Sequence, residues 1–273
     1  MKYLLISFLM CFGWNPLSGQ TSRIVPYKTI DSTVLNLEVI APETYGEQGK
    51  RPAMIFFFGG GWNGGSRNQF RPHAEYFAQK GLICFLADYR IKNKHGTSPF
   101  VSLMDAKSAV RFIKSNAHDF GVDTAKIIAA GGSAGGHLAA ATAVINSYND
   151  PEDNLEISAR PAALVLFNPV IDNGPGGYGF ERIGMAYKDF SPLHNILPGV
   201  PPTIFFLGTD DKLIPVETAE YYRIVMEKAG SRCDLFLYEG QGHGFFNHGK
   251  EPFYSKTVKE TDAFLKSINL IDN

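Results

Sequence analysis

Residues 131–135 read Gly131-Gly132-Ser133-Ala134-Gly135. An apolar run over 126–130 leads into them, and a stretch rich in small residues, 136–143, follows. A buried strand that turns through G-x-S-x-G into a helix is a nucleophile elbow. The glycines lack Cβ, so the turn is tight and the serine sits at a strained backbone angle with its hydroxyl raised above the sheet. The five-letter pattern alone recurs by chance; the strand before it and the helix after it give it weight. A serine hydroxyl is a poor nucleophile at neutral pH. It needs a histidine base within hydrogen-bond reach and a carboxylate that orients the base. The chemistry such a set performs is acyl transfer through a serine ester.

Seven histidines compete for the role of base. The partners of an elbow serine follow it in the order carboxylate, then histidine. That sets aside His73, His95 and His118. His137 lies on the helix that the serine starts and is expected to point away from the active face, and His194 precedes the next strand. His243 stands in Gly240-Gln241-Gly242-His243-Gly244-Phe245, directly after a strand-like run over 234–238. Parallel sheets place function at the carboxyl ends of strands, so His243 is the expected base and His248 its rival. The carboxylate should follow the run 203–207, in Gly208-Thr209-Asp210-Asp211. Adjacent residues point differently, so one aspartate meets His243. Asp211 is favoured, and Asp210 would cap a helix or accept a loop hydrogen bond.

The developing oxyanion needs preorganised N–H donors. Ala134, next after the nucleophile, is one. The loop Gly59-Gly60-Gly61-Trp62, which follows Phe56-Phe57-Phe58, is placed to supply the others. The same loop satisfies G-x-G-x-x-G over 59–64, with Asp88 about where a ribose-binding acid would lie. The dinucleotide reading fails on two counts. Gly65 and Ser66 prolong the loop, so no helix opens at the motif, and Ser133, Asp211 and His243 would have no role.

These side chains need a scaffold. Residues 27–32 and 33–41 read as an antiparallel pair turning near Asp31-Ser32. Six runs of buried-strand length follow, over 53–58, 82–87, 126–130, 162–167, 203–207 and 234–238. Helical patterns fall over 68–79, 100–115, 216–229 and 255–268. Strands alternating with helices give right-handed crossovers and a mostly parallel sheet. The one long irregular stretch, 172–200, is rich in Gly and Pro. It is expected to act as a lid or pocket wall at the catalytic edge. Its Tyr178 and Tyr187 are candidate walls for the substrate, with Trp62 opposite.

The formal net charge of −1 points to no nucleic acid and no anionic membrane. Residues 1–19 have the pattern of a secretory signal peptide: Lys2 as sole charge, an apolar stretch over 4–12, and Leu17-Ser18-Gly19 before Gln20. The apolar stretch is too short for a membrane span, and Phe8-Leu9-Met10-Cys11 is a poor lipoprotein box. The expectation is an exported, soluble domain over 20–273. Cys84 and Cys233 sit in strand-like runs without metal-ligand spacing and are expected to be buried free thiols.

Together these motifs resemble the α/β-hydrolase fold, in the esterase/lipase branch that includes the hormone-sensitive-lipase-like group and the bacterial acetyl and feruloyl esterases. The resemblance runs from Ala53 to the C-terminus. It implies about eight strands flanked by helices, with a short lid-like insertion. Asp88-Tyr89-Arg90 resembles a structural signature of that branch, the acid of its acid loop falls at Asp211, and its histidine at His243. The oxyanion role carries over to Gly60 and Gly61. One departure matters: the lipase-like members have H-G-G-G where this chain has Phe58 first, which favours the secreted bacterial groups that trim acyl or feruloyl esters from polysaccharides. The resemblance implies a serine esterase acting on a small or polysaccharide ester, with no cofactor or metal, and the segment 1–19 adds the expectation of a secreted or periplasmic location without stable membrane insertion. Its rivals are an arylformamidase, a peptidase of the prolyl-oligopeptidase type, and a catalytically dead hydrolase fold used for binding.

Overall fold

A computed structural model describes residues 20–42 and 49–272. The expected signal segment, 1–19, lies outside the described residues. The apolar runs form the middle of a sheet of eight strands: β1 (Gln20–Ile30), β2 (Thr33–Pro42), β3 (Arg51–Phe57), β4 (Ile83–Ala87), β5 (Val122–Gly132), β6 (Ala163–Phe167), β7 (Thr203–Gly208) and β8 (Cys233–Tyr238). Their spatial order is β1-β2-β4-β3-β5-β6-β7-β8. β2 pairs antiparallel with β1 and β4; every other pairing is parallel. The helices are α1 (Arg71–Gln79), α2 (Lys92–His95), α3 (Pro99–Ser115), α4 (Ala134–Val144), α5 (Phe180–Ile183), α6 (Tyr187–Phe190), α7 (Val216–Lys228) and α8 (Phe253–Ser267).

The strand period of two divides the core between the two faces of the sheet. Ile55 and Phe57 of β3 join Ala129, Leu164, Leu166, Phe205 and Leu207 on one face, under Leu103, Ala139 and Tyr222 of α3, α4 and α7. Met54 and Phe56 join Ile128, Ala130, Val165, Phe167, Ile204 and Phe206 on the other, under Ala74, Phe77, Val258 and Leu265 of α1 and α8. Both faces are covered, so the strands read as continuous apolar runs without polar alternation. Each fully buried Phe, Leu or Ile side chain contributes roughly 1.5–3 kcal/mol.

Two departures from expectation have physical causes. β1 reaches back to Gln20, well before the expected start at 27, in register from Gln20 opposite Pro42 to Ile30 opposite Thr33. As an edge strand it leaves Thr21, Ser22 and Arg23 exposed, so no apolar run marked it. The stretch 172–200 is also more ordered than its composition suggested. It folds into α5, α6 and short turns, anchored by buried Ile183 and Phe190. Among the described residues no helix is long and apolar enough to cross a membrane. Cys84 and Cys233 are free and buried, and burial pushes both thiols up, Cys233 to about 12.

Candidate active site

Gly131 lies opposite Phe57 of β3 and Gly132 opposite Phe167 of β6, so β5 delivers Ser133 to the carboxyl edge between its neighbours. Ser133 has φ 53° and ψ −120°. A non-glycine residue held in such a region costs on the order of 1–3 kcal/mol, so its surroundings must over-determine it. They do. Its N–H donates to the Phe167 carbonyl, and its own carbonyl accepts from the N–H groups of His137 and Val170, all at 3.0 Å. Close approach explains the flanking glycines. A Cβ on Gly135 would overlap the carbonyl oxygens of Phe57 and Phe58, and one on Gly136 would lie 2.7 Å from the Pro169 Cβ. Only glycine lets α4 come this near to β3 and to the turn after β6.

The loop after β7 carries the acid. Asp211 Oδ1 accepts from the N–H groups of Leu213 (2.8 Å) and Ile214 (3.1 Å), and Oδ2 lies 2.7 Å from His243 Nδ1. Burial pushes this carboxyl up, but the hydrogen bonds from His243, Leu213 and Ile214 outweigh it and hold the pKa below the usual carboxylate value. The Asp211 side chain is 0% exposed and that of His243 25%, so the ring faces solvent while its orienting partner does not. Asp210 is exposed, and its N–H donates to Gln241. His248 packs edge-on against Tyr254 at 5.0 Å between ring centroids.

The loop after β3 is pinned from three sides. Tyr89 Oη donates to the Phe58 carbonyl at 2.6 Å, with the two rings stacked. Gln69 Oε1 accepts from Gly59 N–H at 2.7 Å, and Arg182 Nη1 donates to the Gly61 carbonyl at 2.6 Å. Gly60, at φ 122°, takes a conformation that side-chain-bearing residues avoid. Asp88-Tyr89-Arg90 thus acts structurally: Asp88 pairs with Arg67, Tyr89 holds the loop, and Arg90 makes a two-pronged pair with Asp105.

Ser133 and His243 line one cavity of about 470 Å³ together with Gly60, Gly61 and Tyr178. Leu213 and Phe246 add apolar wall, and Gln69, Asn168 and Asn247 add side-chain amides. Ala134 opens α4 beside Ser133, where the first helical N–H groups lack intrahelical acceptors. Among the described residues Ser133 Oγ makes no hydrogen bond, and His243 Nε2 is met by Asn168 Nδ2 at 3.3 Å. Among the described residues no group of three or more His, Cys, Asp and Glu side chains is arranged to hold a metal ion.

Two expected wall residues are elsewhere. Trp62 is 1% exposed. With φ 59° its backbone turns the indole beneath the loop, edge-on to His137 at 5.1 Å and near Phe190. Tyr187 is absent from the cavity lining. It opens α6, whose Phe190 docks in the core, and its ring turns to His194 at 4.9 Å. Of the insertion's aromatics Tyr178 reaches the cavity, and Arg182 lies over both Tyr178 and Trp62. The sequence reading missed Asn168, Gln69 and Asn247. Asn168 had a signal: Asn-Pro directly after a buried strand falls on the functional edge of a parallel sheet.

The BD-FAE family profile matches residues 37–175, about half of the chain. The chain belongs to the BD-FAE family. The Dienelactone hydrolase family profile matches residues 183–272. Among solved structures the chain is similar to Thermogutta terrifontis esterase 2 phosphoramylated by tabun, with 42% identity, TM-score 0.89, and 92% of this chain and 96% of that one covered. It is similar to the butyrate-bound form of the same esterase with 40% identity, TM-score 0.87, and 92% and 95% coverage. The fold is therefore that of the α/β-hydrolase esterases. Among curated proteins, Esterase LipC of Mycobacterium tuberculosis (strain ATCC 25618 / H37Rv) is 30% identical, covering 71% of this chain and 53% of LipC. The Acetylxylan esterase of Xylanibacter ruminicola is 26% identical, covering 71% and 41%. The chain spans about half the length of the curated relatives it matches.

Proposed function

We propose that this protein is a serine carboxylic-ester hydrolase working through an acyl-enzyme. The observation that carries the reading is the convergence of Ser133, on its strained turn, with the His243–Asp211 pair at one cavity edged by Gly60 and Gly61. Ser133 Oγ bonds to the acyl carbon and its proton passes to His243 Nε2. The carbonyl oxygen gathers negative charge opposite the N–H groups of Gly60, Gly61 and Ala134; removing one such donor costs about 3–4 kcal/mol of transition-state stabilisation. The tetrahedral intermediate collapses, the bond to the alcohol oxygen breaks, and Nε2 returns the proton to the leaving alcohol. Water, with His243 again as base, then hydrolyses the acyl-enzyme. The relative phosphoramylated by tabun supports a nucleophile activated in this way. Ser133→Ala should reduce ester turnover to a residual rate and stop labelling by a fluorophosphonate, with the thermal midpoint little changed. Turnover near the parental rate would end this mechanism.

The preferred acyl groups are short, acetyl included, or aromatic such as feruloyl, and the alcohol is a carbohydrate or another small hydroxyl compound. Support comes from the cavity of about 470 Å³, the propionate- and butyrate-bound relatives, and the similarity to an acetylxylan esterase. Each further methylene contributes up to about 0.8 kcal/mol only where apolar wall covers it, and here Leu213, Phe246 and the Tyr178 ring are interspersed with glycines and amides. Specificity constants should fall beyond short acyl chains; a steady rise from acetyl to palmitoyl esters would overturn the preference. Export of the domain is proposed from residues 1–19 and tested by sequencing the N-terminus of protein from the native host, with Gln20 near the new start.

A further inference from the structure

Three side-chain amides in the cavity wall have no part in the reaction described above, yet they form one chain. Gly59 N–H donates to Gln69 Oε1 (2.7 Å), and Gln69 Nε2 donates to Asn247 Oδ1 (3.0 Å). Asn247 Nδ2 donates to the Gly244 carbonyl (2.8 Å), and Gly244 N–H donates to Asn168 Oδ1 (3.1 Å). Asn168 Nδ2 reaches His243 Nε2 (3.3 Å), and the far side of that ring meets Asp211 (2.7 Å). The oxyanion loop and the histidine loop, far apart in sequence, are thereby joined.

The direction of each bond is forced. A backbone N–H only donates, so Gln69 turns its oxygen to Gly59 and its NH₂ to Asn247. By the same rule Asn168 turns its oxygen to Gly244 and its NH₂ to the ring. An amide NH₂ has no acceptor capacity, so Nε2 presents its lone pair and the ring proton sits on Nδ1, towards Asp211. That is the tautomer a base for Ser133 requires. Asn168 is well placed to impose it. Its side chain follows β6 directly, the residue is 0% exposed, and its N–H donates to the Phe206 carbonyl at 2.7 Å.

We propose that Asn168 is a positioning residue for His243: its NH₂ fixes Nε2 as the acceptor, while Gln69 and Asn247 tie it to the oxyanion loop. The proposal rests on His243 being the base. Once Nε2 carries a proton it cannot accept from the Asn168 NH₂, so the contact is available to the neutral ring alone. A hydrogen bond to the neutral form disfavours the charged one. Asn168 therefore marks Nε2 as the acceptor, and the one lone pair there passes to Ser133 when the serine donates. Among the described residues Asp211 meets Nδ1 and Ser133 lines the same cavity, while His248 is turned to Tyr254.

The test is the pH profile of kcat/KM for the parent, Asn168→Asp, Asn168→Ala and Gln69→Leu, with the rate of Ser133 labelling by a fluorophosphonate measured alongside. Asn168→Asp keeps the shape and the acceptor for Gly244, and sets a carboxylate against Nε2. Its acid limb should move to higher pH by about one unit or more, with activity recovered in mild alkali. Asn168→Ala should move the limb the same way by less and lower kcat/KM about three- to tenfold at its optimum. Gln69→Leu should lower kcat and leave the limb in place. If Asn168→Ala does not fold, the near-isosteric Asn168→Asp still decides. Parental acid limbs in both Asn168 variants would overturn the proposal while a dead Ser133→Ala left the esterase reading intact. An active Ser133→Ala would bring down both.

Discussion

His243 and His137 are the same side chain in opposite surroundings, although both are placed by the elbow and its edge of the sheet. His243 has a carboxylate on Nδ1 and one-quarter of its side chain in the open. His137, one turn of α4 beyond Ser133, is fully buried against Trp62 and Phe190, with Nε2 on the Phe190 carbonyl at 3.0 Å. Burial holds its pKa down at about 3. His73 repeats the pattern on the other face of the sheet, ringed by Phe70, Phe167 and Tyr254; burial, then the charge of His248, lowers its pKa to about 3. A histidine becomes a base when a carboxylate orients it and substrate can reach it. Without both it is a flat aromatic filler that must stay neutral.

The strongest way to break the contrast is to take away the carboxylate. Asp211→Asn leaves Oδ1 to accept from Leu213 and Ile214 but turns an NH₂ towards His243, forcing Nδ1 to accept and moving the ring proton to Nε2. The ring then faces Ser133 with a protonated Nε2 that cannot accept the serine proton. A loss of about 10⁴-fold in kcat is expected, as for other triads given this change, with urea stability altered far less. Turnover within about tenfold of the parent would mean that Asp211 does not set the tautomer.

The buried pair should report through stability. The folded-state pKa of His73 and His137 is about 3 against an ordinary 6.5. Between those values the unfolded chain binds a proton that the folded chain refuses. The stability tied to the neutral rings is fully present above about pH 6.5 and is lost as pH falls, by up to about 1.4 kcal/mol per pH unit per histidine. From about pH 6.5 to about pH 5 the two together should cost on the order of 3 kcal/mol. Urea midpoints across that range measure it. His137→Leu and His73→Phe should each flatten the slope by about half, whatever they do to the value at neutral pH. A parental slope in both variants would show that acid sensitivity arises elsewhere.

The parts legible in the sequence are those fixed by chain order and period. Ser133, Asp211 and His243 each follow an apolar run that had to be a parallel strand, so their common edge could be read without knowing the strand order. The two-sided core was legible for the same reason. Side-chain direction in loops was not. The segments of Trp62 and Tyr187 border the cavity, but the turn at Trp62 buries its indole, and the docking of Phe190 leaves the Tyr187 ring against His194. Tyr178 does line the cavity, so position in the segment, not residue type, decides which ring reaches it. The amides were illegible because their roles depend on contacts between residues as distant as Gln69 and Asn247.

The smallest effect tests the choice between the two histidines that close the chain. His248 shares a loop with His243 and was its rival on sequence grounds. Its ring is stacked edge-on to Tyr254 and lines no part of the cavity that holds Ser133. Removing an exposed side chain away from such features changes stability by about 0.5 kcal/mol or less, and no step of the reaction uses it. His248→Gln should therefore keep kcat/KM within about twofold of the parent, with an unshifted acid limb. His243→Gln at the same expression level should lose turnover and fluorophosphonate labelling together. If His248→Gln instead carried the large loss, the His243–Asp211 contact would be a structural pairing, and the base would have to reach Ser133 from a conformation other than this one.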